Sequence, residues 1–198
     1  MTPDSHAQRK AKVYEAALAL TSQGVSPAAM TIQQLADAAG IGKGTVYEYF
    51  SSKEEILQGV ACYCFAQENE RIAARFDRCR TLVDLENELV DYLQEVAAQR
   101  MSTYRLLAVS LGQQAALPEC TDECRSQLTA LTDALVARLQ AAGEIDPGLT
   151  MDACRTSIFC TVTGGLIALC CSAGSGTSLP ALPQNLREAL HRGLQAGR

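Results

Sequence analysis

The most constraining feature of the sequence is the segment TIQQLADAAGIGKGTVYEYF, which covers residues 31–50. Thr31 is followed three residues later by Gln34, the spacing of a capping box that closes the first turn of a helix. Apolar residues then recur at helical spacing, and Gly40 to Gly42 predicts a tight turn. A second short helix is predicted from Lys43 to about Tyr49. Two short helices joined by a glycine-containing turn indicate a helix-turn-helix motif.

The second helix of such a motif enters the major groove of DNA, and its first residues contact base edges. Val46, Tyr49 and Phe50 are spaced to pack inward, which leaves Lys43, Thr45 and Tyr47 facing outward. From this pattern alone, a pair of short helices inside an ordinary all-α domain stays open as the alternative.

The segment GIGKGTVYEYF, followed by SSKEEIL, resembles the signature of the TetR family of transcriptional regulators. The residues that carry the resemblance are Gly40, Ile41, Lys43, Gly44, Thr45, Val46, Tyr47, Tyr49, Phe50, Ser52, Lys53 and Glu54. The signature covers roughly a quarter of the chain. The remainder is similar to the family only in length and helical organisation.

Hydrophobic periodicity predicts further helices, and no segment has the alternation of a β-strand. The helices outside the motif are expected near 9–23, 52–76, 81–100, 103–115, 120–142, 150–172 and 184–196. Residues 1–8 are predicted to be a mobile tail. A solvated helix face is predicted for four acidic residues, Glu86, Glu88, Asp91 and Glu95. The adjacent Gly164 and Gly165 weaken a helix, so we expect another helix to approach closely there.

Together, the helical pattern and the resemblance imply an all-α fold of about nine helices. A three-helix head would bind DNA (residues 1–52), and a larger body would bind an effector and dimerise (residues 53–198). The resemblance also implies a homodimer, formed by the helices near 150–172 and 184–196, that presents two recognition helices to a palindromic operator.

Charge gives the DNA interpretation little support. The chain has 17 basic and 22 acidic residues, a net charge of −5, and its first 55 residues have a net charge of −1. Nucleic-acid-binding proteins usually carry a basic surplus. We therefore expect binding to depend on a few cations and on backbone amides at helix starts. The basic start of the first helix, from Arg9, either touches phosphate or is a solvated helix end.

Two residues of the motif are the clearest candidates for reading bases. Lys43 suits guanine, because a cation in the major groove is attracted to the acceptors of that base. Thr45 suits a thymine methyl group or a phosphate, and Gly44 lets the backbone approach the DNA.

The resemblance implies further contacts with the phosphate backbone. Tyr47 and Tyr49 correspond to aromatic hydroxyls that bind phosphate, although Tyr49 is alternatively part of the core. Thr31 and Lys53 stand at helix starts and are expected to bind phosphate. Gly42 and Glu48 depart from the usual pattern: a serine hydroxyl is missing at Gly42, and phosphate would repel Glu48.

The resemblance further implies a repressor released by an unknown small molecule. Candidate residues for the effector pocket are Phe65, Tyr92, Met101, Tyr104, Leu107, Leu111 and Phe159, each alternatively plain core.

The nine cysteines leave a second hypothesis, thiol or metal sensing. Their odd number, the absence of Cys-x-x-Cys and the lack of a secretion signal predict a cytoplasmic protein with reduced thiols. Cys120 and Cys124 are four residues apart and can share a helix face. The alternative is that the cysteines are small side chains that fill the core, and no metal or cofactor site is expected.

No catalytic motif is present, so an enzyme is not expected. A helical adaptor would explain the charge but not the signature.

Overall fold

The computed structural model describes residues 3–100, 119–175 and 179–195. Over these residues the chain forms eight α-helices, with no β-strand among them. The helices are α1 (Pro3–Ser22), α2 (Ile32–Ala39), α3 (Lys43–Tyr49), α4 (Lys53–Phe76), α5 (Leu82–Glu95), α6 (Glu119–Ala141), α7 (Met151–Ser175) and α8 (Leu182–Leu194). The predicted all-α fold is confirmed, while the helix predicted over 103–115 lies outside the described residues. No helix of the described ranges is long and apolar enough to cross a membrane.

The motif at α2 and α3 is closed by the predicted local signals. The Thr31 hydroxyl accepts a hydrogen bond from the Gln34 backbone N at 3.2 Å, and Gln34 Oε1 accepts one from the Thr31 backbone N at 2.9 Å. Gly40 ends α2 with a φ of 67°, a left-handed conformation that glycine adopts without steric cost. The turn to α3 therefore has the length and conformation of a helix-turn-helix.

Two predicted boundaries were wrong. α1 begins at Pro3 rather than near residue 9, because a proline at the first helical position lacks only a backbone N–H that would be unpaired there anyway. The helix predicted over 81–100 is α-helical only to Glu95, and Val96–Arg100 forms a π-helical turn.

The described residues group into two compact units. The first contains α1 to α3, α4 as far as Glu68, and the start of α6 as far as Cys124. Its buried core joins the inward side chains of α1 to α4, and its larger members are Val13, Met30, Leu35, Val46, Phe50, Ile56 and Val60. Burial of this kind fixes α3 on its neighbours, since roughly 25 cal/mol is gained per Å² of apolar surface removed from water.

α1 and α4 approach each other closely at Gly59. A Cβ atom at this position would lie 2.3 Å from the Tyr14 hydroxyl, so only glycine leaves room for the Tyr14 ring. One turn further along α4, the Tyr63 hydroxyl donates a hydrogen bond to Glu15 at 2.9 Å. Burial of the hydroxyl is the main cause that raises the pKa of Tyr63 to about 12, and the hydrogen bond to Glu15 is the second. The side chains of α1 and α4 therefore interlock along the first unit.

The second unit contains the remainder of α4, α5, α6 from Arg125 onward, α7 and α8. Leucines and isoleucines dominate its core, whose fully or almost fully buried members include Leu82, Leu85, Leu135, Leu139, Ile145, Ile158, Leu190 and Leu194. α7 and α8 pack on each other, and both pack on α5.

Two of the four acidic side chains of α5, Glu86 and Glu88, depart from the predicted solvated face, whereas Asp91 is exposed as predicted. Glu88 accepts hydrogen bonds from Arg78 at 2.9 and 2.8 Å and from Arg75 at 2.8 Å, and Arg75 also pairs with Glu95. The bond from Arg78, aided by Arg75, holds the pKa of Glu88 below its usual range. The prediction of a solvated face was therefore wrong for Glu88, which is mostly covered by arginines from the end of α4.

Glu86 is buried as well, with 7% of its surface exposed. Its Oε1 lies 2.7 Å from Nδ1 of His191 on α8. A carboxylate this deep requires a polar partner, and His191 supplies one, so Glu86 also contradicts the solvated face.

The two adjacent glycines of α7 have different surroundings. A Cβ atom at Gly165 would lie 2.6 Å from Leu93 Cδ1 and 3.1 Å from Leu186 Cδ1, whereas one at Gly164 would meet no atom within 4 Å. The predicted close approach of another helix is therefore confirmed at Gly165, where α5 and α8 both reach α7.

Gly165→Ala should destabilise the chain relative to Gly164→Ala by about 2 kcal/mol. Overpacking at Gly165 costs about 1–3 kcal/mol, whereas alanine at an open helical site gains up to about 1 kcal/mol over glycine. Urea unfolding followed by circular dichroism measures both variants. Equal free energies of unfolding for the two variants would show that the side chains of Leu93 and Leu186 move aside without loss of stability.

Candidate DNA-binding surface

α3 has one buried and one exposed side. Val46, Tyr49 and the following Phe50 are buried, with 0%, 7% and 3% of their surfaces exposed. The exposed positions of the helix are two adjacent pairs one turn apart, and they form the side that we call the outer face of α3: Lys43, Gly44, Tyr47 and Glu48. A recognition helix needs such an arrangement, with apolar side chains fixing it and polar ones available to DNA.

Lys43 and Tyr47 lie on the outer face as the sequence predicts. Tyr47 is 54% exposed, which is large for an aromatic side chain without a partner surface. Lys43 is exposed, and Thr45 lies at the border of the face, half-buried. A Cβ atom at Gly44 would meet nothing within 4 Å, so the backbone here is open to close approach.

Thr31 and Lys53 are both engaged in local structure. The Thr31 hydroxyl belongs to the cap of α2 and also donates to Gln34 Oε1 at 3.0 Å. The Lys53 ammonium donates to the carbonyl O of Ala28 at 2.8 Å, which ties the start of α4 to the loop before α2. Thr31 is exposed and Lys53 half-buried, and their phosphate contacts stay predictions.

Tyr49 points away from the outer face. Its hydroxyl accepts a hydrogen bond from Arg9 Nη1 at 3.3 Å, and the His6 ring meets its ring edge-on at a centroid distance of 4.6 Å. The burial of Tyr49 supports the core alternative, and its contact with phosphate stays a prediction.

The structure gives the positions of two cations of α1 whose contact with phosphate the sequence left open. Arg9 contacts Tyr49, and Lys10 Nζ lies 5.2 Å from the centroid of the Phe50 ring. Both cations therefore lie beside the end of α3. These contacts join residues 40 positions apart, so no local sequence signal reveals them.

The predicted effector residues are only partly described. Phe65 is half-buried against the core of the first unit. Tyr92 is buried in the second unit beneath the Arg75 guanidinium, 5.7 Å from its ring centroid, and Phe159 is half-buried on α7. Met101, Tyr104, Leu107 and Leu111 lie outside the described residues. The effector pocket stays a prediction.

The cysteines of the described part of the chain bear on the hypothesis of thiol or metal sensing. Cys62 is disulfide-bonded, which contradicts the expectation of uniformly reduced thiols, while Cys79, Cys154 and Cys160 carry free thiols. Burial raises the pKa of Cys79 to about 11 and also raises that of Cys154, which disfavours the reactive thiolate. Among the described residues, no group of three or more side chains is placed to hold a metal.

A capped helix-turn-helix with a buried inner side and an exposed polar outer face is typical of regulators that bind DNA through a recognition helix. Residues 13–60 match the family model for bacterial regulatory proteins of the tetR family. Over residues 13–60, less than half of its length, the chain therefore has the sequence of a DNA-binding domain of the tetR type. No curated protein matches the sequence.

Solved structures with the same fold include several regulators. FadR from Bacillus subtilis, in complex with stearoyl-CoA, is 19% identical with a TM-score of 0.69, over 94% of this chain and 98% of that one. GusR from Salmonella enterica is 19% identical with a TM-score of 0.68, over 94% and 95% of the two chains. NalD, the secondary repressor of the MexAB-OprM multidrug efflux pump in Pseudomonas aeruginosa, is 19% identical with a TM-score of 0.62, over 98% and 100%.

Tyr49→Ala should destabilise the chain by about 3 kcal/mol, because it removes a buried ring from the core. Tyr47→Ala should change the stability by less than about 0.5 kcal/mol, because its ring is largely in solvent. Denaturant unfolding compares the matched pair. A larger loss for Tyr47 would reverse the assignment of the two faces of α3.

Proposed function

We propose that the chain is a repressor that binds a palindromic operator as a homodimer and leaves it when a small molecule binds in the body. In this proposal residues 1–52 contact DNA, and residues 53–198 bind the effector and dimerise. The observation that carries it is the outer face of α3, where Lys43 and Tyr47 are exposed on a helix whose other side is buried.

The cations of the head support DNA binding despite the net charge of −5. Arg9 and Lys10 lie beside the end of α3, and Lys43 stands at its start. A helix of seven residues is about 10 Å long, comparable with the roughly 12 Å width of the major groove. Cations at both ends of α3 would then lie near the backbones that border the groove, with Thr31, Thr45, Tyr47, Tyr49 and Lys53 as the further proposed contacts.

An uncharged exposed face on α7 supports dimerisation. Thr156, Cys160, Thr163 and Ile167 are all exposed and recur at intervals of three or four residues, which places them on one side of the helix. Ile167 is 58% exposed. A second copy that covers this face, with α8 at its border, would remove its apolar surface from water and set the two α3 helices about one DNA turn apart.

The effector proposed for the body is an apolar or amphipathic small molecule. Phe65, Tyr92 and Phe159, with the predicted Met101, Tyr104, Leu107 and Leu111, would contribute an aromatic and aliphatic lining suited to such a compound. FadR, which shares the fold, was solved with stearoyl-CoA, and NalD is described as a repressor. These likenesses support the class of effector and the direction of regulation. The protein is proposed to act in the cytoplasm.

The full chain should form a discrete complex with the DNA upstream of its own gene, and Lys43→Ala should weaken that complex about 5- to 150-fold. Loss of a good base contact costs about 1–3 kcal/mol, which corresponds to that range. Fluorescence anisotropy at several salt concentrations measures both proteins. Arg80→Ala, which removes an exposed cation from the segment before α5, is the control and should leave binding unchanged.

Equal affinities of the wild type and Lys43→Ala for that DNA would contradict the role of the outer face. A helical adaptor would bind no DNA specifically at any salt concentration.

Ile167→Glu should convert the dimer into a monomer, because the two-fold interface would bury a pair of carboxylates without partners. Val83→Glu makes the same change at an apolar residue of α5 that is 56% exposed, and should leave the dimer intact. Sedimentation velocity at micromolar concentration distinguishes the two species. A dimeric Ile167→Glu variant would place the interface elsewhere.

A further inference from the structure

We infer that Glu48 reads cytosine in the major groove and is, with Lys43, a determinant of operator sequence. The inference rests on the proposed binding of DNA through the outer face of α3. It assigns a function to the residue that, on charge alone, is expected to oppose DNA binding.

The outer face of α3 consists of two rows of side chains. Residues four apart on a helix lie one above the other, so Lys43 and Tyr47 form one row, and Gly44 and Glu48 form the other. Because Gly44 has no side chain and the space beside it is open, a base pair can approach the backbone within one helical turn of the Glu48 carboxylate.

Glu48 differs from most carboxylates of the first unit in lacking a protein partner. Glu15 accepts from the Tyr63 hydroxyl, Glu55 from the Ser51 backbone N at 2.7 Å, and Asp37 from Gln33 at 2.8 Å. Within the described residues, Glu48 has no hydrogen bond or ion pair and is exposed. Its acceptor oxygens are therefore available to a ligand.

The chemistry of DNA limits what this carboxylate can bind. An ionised carboxylate only accepts hydrogen bonds, and phosphates repel it. The donors in the major groove are N4 of cytosine and N6 of adenine. In adenine the acceptor N7 stands beside N6 and would repel the second carboxylate oxygen, so cytosine is the better partner. Lys43 in the adjacent row has the opposite preference, for the acceptors of guanine.

Selection of binding sites from random duplexes tests the inference, with the full-length protein and three variants. The wild type should select cytosine at one position of each half-site. Glu48→Gln should select adenine there, because glutamine pairs with N6 and N7 of adenine. It should also lower the ratio of affinities for the wild-type site and random DNA about 5- to 150-fold, the equivalent of about 1–3 kcal/mol per base contact. Glu48→Ala should lose the preference at that position and keep the others.

Glu54→Gln is the matched control, because it removes the same charge from an exposed residue at the start of α4. It should leave the selected sequence unchanged. If both Glu48 variants also select the wild-type sequence, with affinity raised equally for all DNA, Glu48 only repels phosphate and the inference is wrong. If the wild type selects no sequence, the proposed function fails together with the inference.

Discussion

Burial of the inner side of α3 is the interaction on which the rest of the head depends. A helix of seven residues is too short to be stable in water by itself. Val46 and Phe50 therefore have to be held by side chains of the neighbouring helices, including Val13 and Ile56. The outer face is fixed by the same contacts, since the position of every outward side chain follows from the side that is buried. Recognition in this head is thus a consequence of packing.

The sequence predicted the parts of the fold that local interactions determine. The cap at Thr31, the left-handed turn at Gly40 and the alternation of inward Val46 with outward Tyr47 involve residues only a few positions apart. The start of α4 shows the limit of such local signals: the Ser52 hydroxyl accepts a hydrogen bond from the Glu55 backbone N, whereas the Glu55 carboxylate accepts one from the Ser51 hydroxyl. The two serines are adjacent and chemically identical, so spacing cannot choose between them.

Contacts between distant segments escaped prediction. Arg9 and Tyr49 are brought together only by the folding of the head, and the covered Glu88 looked like any acidic residue on a helix surface. The disulfide bond of Cys62 likewise depends on a partner that sequence order does not reveal. For the candidate site, the outcome was uneven. The sequence predicted that Lys43, Thr45 and Tyr47 face outward, and Thr45 is half-buried. It left Tyr49 between the core and a phosphate contact, and gave Glu48 only a repulsive role. The exposed fraction of each side chain distinguishes these residues, because it shows which side of the seven-residue helix is covered by the neighbouring helices.

The arginines at the end of α4 have a mechanical consequence. Arg75 and Arg78 share Glu88, and Arg75 also pairs with Glu95, about two turns further along the same face of α5. A slide of α4 along its axis by one turn, about 5.4 Å, would separate all of these charges at once. The ion pairs therefore resist sliding of the last turn of α4 along α5, whereas a rotation of the two helices as one body leaves every pair intact.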